Sequence, residues 1–246
     1  MKNTIYVIAA LAAASGLRAE AAIPNYSITS DFTYTSEYVF RGVKQAGNSF
    51  QPSVELSSGG LNVDLWTNQP ITKHENNEID VAASYDYRLS SALKLEGVLT
   101  TYWYPEANGG QTQNSWEPGI NATYTIAGFS PTLSYFHDFR LRSDTLQAAV
   151  GYSIPLPAIG ASVDTNVHLG TVSTRDLAPD ANGPQAMDAY SYYGLDVSIP
   201  YKLNNNATFT VGGHYSVDRN LAGEGGPAGT LPRQAFWFTT GITIGF

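Results

Sequence analysis

Apolar residues recur at alternate positions in twelve stretches of this chain: Phe32 to Phe40, Phe50 to Leu56, Leu61 to Leu65, Ile79 to Leu89, Leu93 to Trp103, Trp116 to Ile126, Phe129 to Tyr135, Leu146 to Ile154, Ile159 to Leu169, Tyr193 to Tyr201, Ala207 to Val217 and Phe236 to Phe246. A period of two belongs to the β-strand, whose successive side chains point to opposite faces. The expected fold is therefore all-β, with about twelve strands. Charged residues played no part in choosing the phases, so they test them. Twelve acids (Asp31, Glu37, Glu55, Asp64, Asp80, Asp86, Glu96, Glu117, Asp138, Asp164, Asp196, Asp218) and five bases (Arg41, Arg88, Lys94, Lys202, Arg233) accompany these stretches, and all fall on the other face. Chance placement on two equal faces would do this about once in 10⁵ trials. Pro52, Pro118, Pro131 and Pro200 remove ladder donors and are expected near strand ends or at bulges.

Segregation alone fits two folds, a soluble sandwich with the apolar face inside and a membrane barrel with the apolar face outside. The connections separate them. Odd-numbered ones are long (Gly42 to Asn48, Thr67 to Asn77, Pro105 to Ser115, Arg140 to Ser143, Val172 to Ala189, Arg219 to Pro232), and even-numbered ones are short, such as Ser58-Gly59-Gly60 and Ala127-Gly128. Long loops on one rim and hairpin turns on the other mark an up-and-down transmembrane antiparallel β-barrel with short periplasmic turns and longer extracellular loops. An even strand number puts both termini at the short-turn rim. The aromatics then sort into two girdles: Tyr87, Tyr124, Phe129, Tyr201 and Phe246 below, and Phe50, Trp103, Trp116, Tyr135 and Phe236 above.

The amino terminus fits export. Lys2 precedes an apolar stretch from Ile5 to Ala14, and Ala19 and Ala21 have the spacing read by signal peptidase, so residues 1–21 are expected to be a cleaved signal peptide and residues 22–246 the barrel domain. Removing Lys2, Arg18 and Glu20 from the 13 basic and 21 acidic residues leaves 11 against 20, a mature charge of −9. Nucleic acid is excluded as a partner because phosphate binding needs clustered bases. No cysteine is present, so there is neither a disulfide framework nor a thiolate metal site. Mean hydropathy of −0.17 suits a membrane barrel, in which every second strand residue faces lipid.

The last strand, Phe236 to Phe246, alternates and closes on a terminal aromatic, resembling the signature through which barrel-assembly machinery recognises its clients. Near the other end, Thr35-Ser-Glu-Tyr-Val-Phe-Arg-Gly-Val-Lys-Gln45 resembles the amino-terminal motif of the TorF-like porins, in which a hairpin bearing aromatics and Arg-Gly follows the first strand; Tyr38, Phe40, Arg41 and Gly42 fill those positions. The resemblance implies a bacterial outer-membrane barrel of the porin kind and supplies neither a substrate nor a catalytic residue.

Enzyme chemistry leaves few traces. No Walker loop, dinucleotide-binding fingerprint, G-x-S-x-G or H-E-x-x-H occurs, and no cofactor is implied. His74 falls in a loop, while His168 and His214 share the lumen phase as isolated wall residues. His137 lies in outward phase beside the upper girdle, the height at which outer-membrane phospholipases carry a Ser-His pair, but no outward serine flanks it in its strand. Asp180-Ala-Asn182-Gly183 in the longest loop is thin for a Ca²⁺ site. What remains is the lumen. Its expected lining is Asp31, Glu37, Arg41, Glu55, Asp64, Asp80, Asp86, Arg88, Lys94, Glu96, Glu117, Asp138, Asp164, Asp196 and Asp218, and twelve acids against five bases in the strands leave about −7, which favours cations. The expected function is a porin-like channel for small hydrophilic solutes, set in lipid and lipopolysaccharide. The alternatives are a non-conducting structural or adhesive barrel and a lipid hydrolase. Arg41 is expected to point inward near the extracellular rim and to meet Glu37 or Glu55.

Overall fold

A computed structural model describes residues 26–72, 75–107, 113–175, 187–220 and 233–246. The signal-peptide residues, His74 and the Asp180–Gly183 stretch lie outside them. The strands are β1 (Tyr26–Thr35), β2 (Tyr38–Phe40), β3 (Val43–Ala46), β4 (Ser49–Ser58), β5 (Leu61–Pro70), β6 (Glu78–Arg88), β7 (Leu93–Trp103), β8 (Asn114–Tyr124), β9 (Phe129–Asp138), β10 (Ser143–Leu156), β11 (Ala161–Arg175), β12 (Met187–Lys202), β13 (Ala207–Asn220) and β14 (Arg233–Gly245). One turn of 3₁₀ helix, Pro157–Ile159, accompanies them. Twelve strands, β1 and β4 to β14, close into an antiparallel barrel in which β1 pairs with both β4 and β14. Closure gives each of these twelve strands two partners and leaves the barrel no sheet edge, which is the condition for strands to cross a bilayer.

The barrel is inside-out. Large apolar side chains such as Leu56, Leu65, Ile120, Leu133, Leu146, Val167 and Leu169 are exposed, while the buried side chains include Glu78, Glu117, Asp138 and Asp218. All ten girdle positions Phe50, Tyr87, Trp103, Trp116, Tyr124, Phe129, Tyr135, Tyr201, Phe236 and Phe246 point outward and are exposed. Tight turns form where φ can be positive: Gly59 and Gly60 between β4 and β5, and Ala127 and Gly128 between β8 and β9. Phe246 returns to Ile28 through paired backbone hydrogen bonds, so both described ends meet at the short-turn rim.

One connection differs from the sequence expectation. The β9–β10 connection, expected to be long, has four residues, because Asp138 Oδ1 accepts the backbone N–H groups of Arg140 (2.8 Å) and Leu141 (2.7 Å) and folds the chain at once. Pro52, Pro131 and Pro200 keep register with one neighbouring strand, while on the other side the ladder skips or stops at each: β4–β5 jumps from Phe50 to Ser53, β8–β9 ends at Thr132, and β11–β12 jumps from Ser198 to Tyr201. Pro118 limits pairing in the same way, since the β8–β9 ladder runs only from Gly119↔Phe136 to Thr123↔Thr132 and ends just below it.

The largest correction concerns the first stretch. Strand β1 ends at Thr35, and Tyr38 and Phe40, expected to face outward in a continuous strand, belong instead to β2, which pairs only with β3. Gly42 to Asn48, expected as a loop, contains β3. Thr35 Oγ1 donates to the Glu37 carbonyl (2.6 Å), and Ser36 exchanges hydrogen bonds with Phe238, which fixes the point where the chain leaves the wall.

Candidate functional site: a hairpin inside the lumen

The β2–β3 hairpin turns through Arg41 (φ 49°) and Gly42 (φ 82°), the two positive angles of a type I′ turn. Arginine in this region is strained. Its compensation is on the opposite wall. Arg41 donates through Nη1 and Nη2 to both carboxylate oxygens of Glu117 on β8, at 2.8 and 2.7 Å. The pair is secluded, with side-chain exposures of 13% and 3%. Burial pulls the guanidinium pKa down, and the bonds and charge of Glu117 more than offset it, so Arg41 is held above its ordinary value. Tyr102 OH donates a third bond to Glu117 at 3.0 Å.

Aromatic contacts complete the seat. Tyr38 meets Trp66 on β5 at 5.4 Å, Phe40 meets Tyr102 on β7 at 6.2 Å, and the Arg41 guanidinium lies 4.9 Å from the Phe136 ring centre on β9. Phe136 lies across Gly119, where a Cβ would stand 2.2 Å from it. On the far side, a Cβ on Gly42 would approach Tyr192 Cβ to 2.5 Å, so the tip touches β12 as well. At the hairpin base, Lys44 pairs with Glu37 at 2.7 Å. Above β7, Tyr104 OH donates to Glu78 at 2.7 Å, and burial followed by the Glu78 charge pushes this phenol up, so it stays a donor. The hairpin therefore spans the long-loop half of the lumen, braced on β5, β7, β8, β9 and β12. Arg41 does point inward onto a carboxylate, but onto Glu117 rather than Glu37 or Glu55.

The other expected lumen residues divide into a paired and an unpaired wall. Lys94 lies 3.1 Å from Asp86, and Arg233 lies 2.6 Å from Asp218. Glu96 accepts from Asn121 at 2.9 Å, and Asp164 accepts from Ser153. Asp196 on β12 sits between His168 on β11 (3.3 Å) and His214 on β13 (2.8 Å), so the two histidines expected to be isolated wall residues share one carboxylate. Opposite runs an acidic wall. Glu55 and Asp64 face each other directly across β4 and β5, Asp31 lies on β1, and Asp80 lies on β6 together with Glu78, an acid that the expected lining did not include. Among the described residues none of these five carboxylates has a basic side chain within ion-pair distance; Asp31 and Glu55 accept only from hydroxyls, and Asp80 Oδ1 is buried without a partner. Arg88 and Lys202 sit near the short-turn rim, as the last residues of β6 and β12.

On the outer surface, His137 Nδ1 lies 2.8 Å from Asp144 Oδ1, which also accepts from Tyr135 OH at 2.6 Å, and the imidazole meets Phe139 edge-on. Among the described residues no serine or threonine hydroxyl is hydrogen-bonded to His137. The hairpin contacts had one legible signal that the sequence reading did not use. Trp66, Tyr102, Phe136, Tyr192 and Trp237 are large aromatics in the polar, inward phase, where they need something inside the barrel to pack on.

A bacterial protein family of unknown function, Gcw_chp, matches residues 18–143. No curated protein matches the sequence. Among solved structures, the chain is similar to the KdgM porin (TM-score 0.52, 14% identity, covering 89% of this chain and 99% of that one), to the NanC porin (0.52, 12%, 88% and 98%) and to LpxR from Salmonella typhimurium (0.52, 9%, 88% and 99%). A second KdgM structure is a complex with disordered oligogalacturonate. At these identities the likeness is one of fold, a closed porin-like barrel.

Proposed function

The chain belongs to the Gcw_chp family, and from that premise we propose that it is an outer-membrane channel for small hydrophilic solutes, narrowed by its own hairpin and leaning towards cations. The motif from Thr35 to Gln45 supports placing it with the TorF-like porins. One observation carries the cation preference. Among the described residues the wall formed by Asp31, Glu55, Asp64, Glu78 and Asp80 has no basic partner, whereas Glu37, Asp86, Glu117, Asp196 and Asp218 each have one. Like charges directly across a strand pair are unfavourable, and mobile cations relieve them. The same wall disfavours a polyanionic cargo of the oligogalacturonate type carried by the KdgM complex. Planar-bilayer recording under a KCl gradient is the test. The reversal potential should show cation preference, and Asp64→Asn with Asp80→Asn should shift it measurably towards zero. Absence of conductance steps at any voltage or salt would instead favour a structural or adhesive barrel plugged by the hairpin.

The hydrolase reading draws on the Asp144–His137 pair at the upper interface and on the LpxR-like fold. A base oriented by a carboxylate is two parts of a hydrolytic triad. The missing hydroxyl argues for an interfacial anchor, so the detergent-solubilised protein is expected to release no fatty acid from phospholipid. Release abolished by His137→Ala would reverse that.

A further inference from the structure

Beside the hairpin tip lies a half-open cavity of about 270 Å³, lined on one side by Val39, Arg41 and Gly42 and on the other by the wall from β10 to β14. It lies as a gap between the hairpin and that wall. We infer that this gap is a binding subsite for an uncharged polyhydroxylated solute, one sugar ring in size, within the channel proposed above.

Three features of the wall support this class of ligand. The first is flat rings. Tyr192 lies across its cross-strand partner Gly170, and His168 across its partner Gly194; a Cβ at either glycine would come within 2.6 Å of the ring. Glycine opposite a large ring lets that ring lie down against the sheet. Trp237, the cross-strand partner of His214, stacks on it at 5.1 Å and 14° and also lines the cavity. Ring faces of this kind take the C–H face of a sugar.

The second feature is a set of directional polar groups between the rings. Asp196 is fixed by His168, His214 and Asn166, and His214 is fixed in turn by Thr239 Oγ1 at 3.0 Å. The Gln147 carbonyl accepts from Tyr192 OH at 2.6 Å, which leaves the amide nitrogen of Gln147 as a donor. Ser216, also in the lining, is 1% exposed and its Oγ has no hydrogen-bond partner among the described residues. A buried unsatisfied hydroxyl is unfavourable until something bonds to it. A ligand hydroxyl has both the donor and the acceptor to do so.

The third is charge. Arg41 is neutralised by Glu117, and Asp196 is the one acid in the lining, held between two imidazoles. This contrasts with the five-carboxylate wall opposite, so a neutral solute is matched here and an anionic one is not. The volume is slightly below the roughly 300–1,000 Å³ of ordinary small-molecule sites, which fits one ring rather than several.

The experiment uses the refolded full barrel in a planar bilayer, with ion current recorded first in KCl alone and then with D-glucose, with D-galacturonate as the charged comparison. Glucose should interrupt the current in a concentration-dependent way, and Trp237→Ala and Asp196→Asn should each weaken that block at least tenfold. Galacturonate should block less. A conducting barrel that glucose does not affect, that is blocked equally in both variants, or that prefers galacturonate overturns the inference and leaves the channel reading standing. If no current flows in KCl, the channel reading fails, and glucose quenching of tryptophan fluorescence decides the subsite alone. Quenching lost in Trp237→Phe and in Asp196→Asn supports it; no quenching, or quenching kept in both, overturns it.

Discussion

Neutralising Glu117 should release the hairpin without unfolding the barrel. Glu117→Gln keeps the side-chain shape and the contact with Tyr102, and removes the charge that both Arg41 nitrogens engage at 2.8 and 2.7 Å. Breaking a buried pair by removing one partner's charge costs about 3–5 kcal/mol. The lower end applies, because an undocked Arg41 regains water. Two aromatic contacts then hold the hairpin, Tyr38 on Trp66 and Phe40 on Tyr102, each contributing about 0.5–1.5 kcal/mol. At about 1.4 kcal/mol per factor of ten, a loss of about 3 kcal/mol raises the undocked population at least 100-fold. In single-channel recordings the variant should show frequent transitions to a higher conductance level that the parent visits rarely, while heat-modifiable migration on a gel stays unchanged. Arg41→Lys, which keeps the charge and loses the two-pronged geometry, should fall between them. A folded Glu117→Gln barrel with recordings indistinguishable from the parent would refute the view that this pair holds the constriction.

Gly42→Ala should release the same hairpin by another route, since the new Cβ meets Tyr192 at 2.5 Å in a backbone conformation of φ 82° that alanine resists; current noise should rise with Glu117 still intact. Amino-terminal sequencing of protein recovered from outer membranes should begin at Ala22, and a start at Met1 would reject the signal peptide. Deleting Phe246, whose backbone pairs with Ile28, should lower the heat-modifiable fraction in the membrane by severalfold if assembly machinery reads this residue, and leave it unchanged otherwise.

The barrel was legible because its determinants are local and repeated. Each strand carries its own period of two, and a slip of one residue would turn every charge towards lipid, so apolar residues and charges independently fix the same phase. Turn positions were equally readable, since Gly59-Gly60 and Ala127-Gly128 need only a few neighbouring residues to form. The first stretch misled for the same reason. Tyr38 and Phe40 continue the alternation of Phe32 and Tyr34 without a break, and a hairpin strand has the same period as a wall strand. What distinguishes them is that β2 pairs with β3 alone while β1 pairs with β4 and β14, a property of pairing that residue order along one strand does not carry.

The partner of Arg41 was hidden for a related reason. A search confined to neighbouring strands offers Glu37 and Glu55, and Glu37 is instead taken by Lys44 across the hairpin. Glu117 is 76 residues away and comes within reach only because the barrel closes and the hairpin crosses its interior. Long-range pairing of this kind follows from topology. Once a closed barrel is granted, however, the inward aromatics limit the answer, because Trp66, Tyr102, Phe136 and Tyr192 stand on β5, β7, β9 and β12 and so surround one volume. Rings that size on a polar wall need an apolar occupant. The only other aromatic residues of the described chain between β1 and β4 are Tyr38 and Phe40, flanking the turn at Arg41-Gly42. The occupant of the lumen can thus be derived from sequence plus closure, and its charged tip must then end near an acid on the far wall, where Glu117 is found.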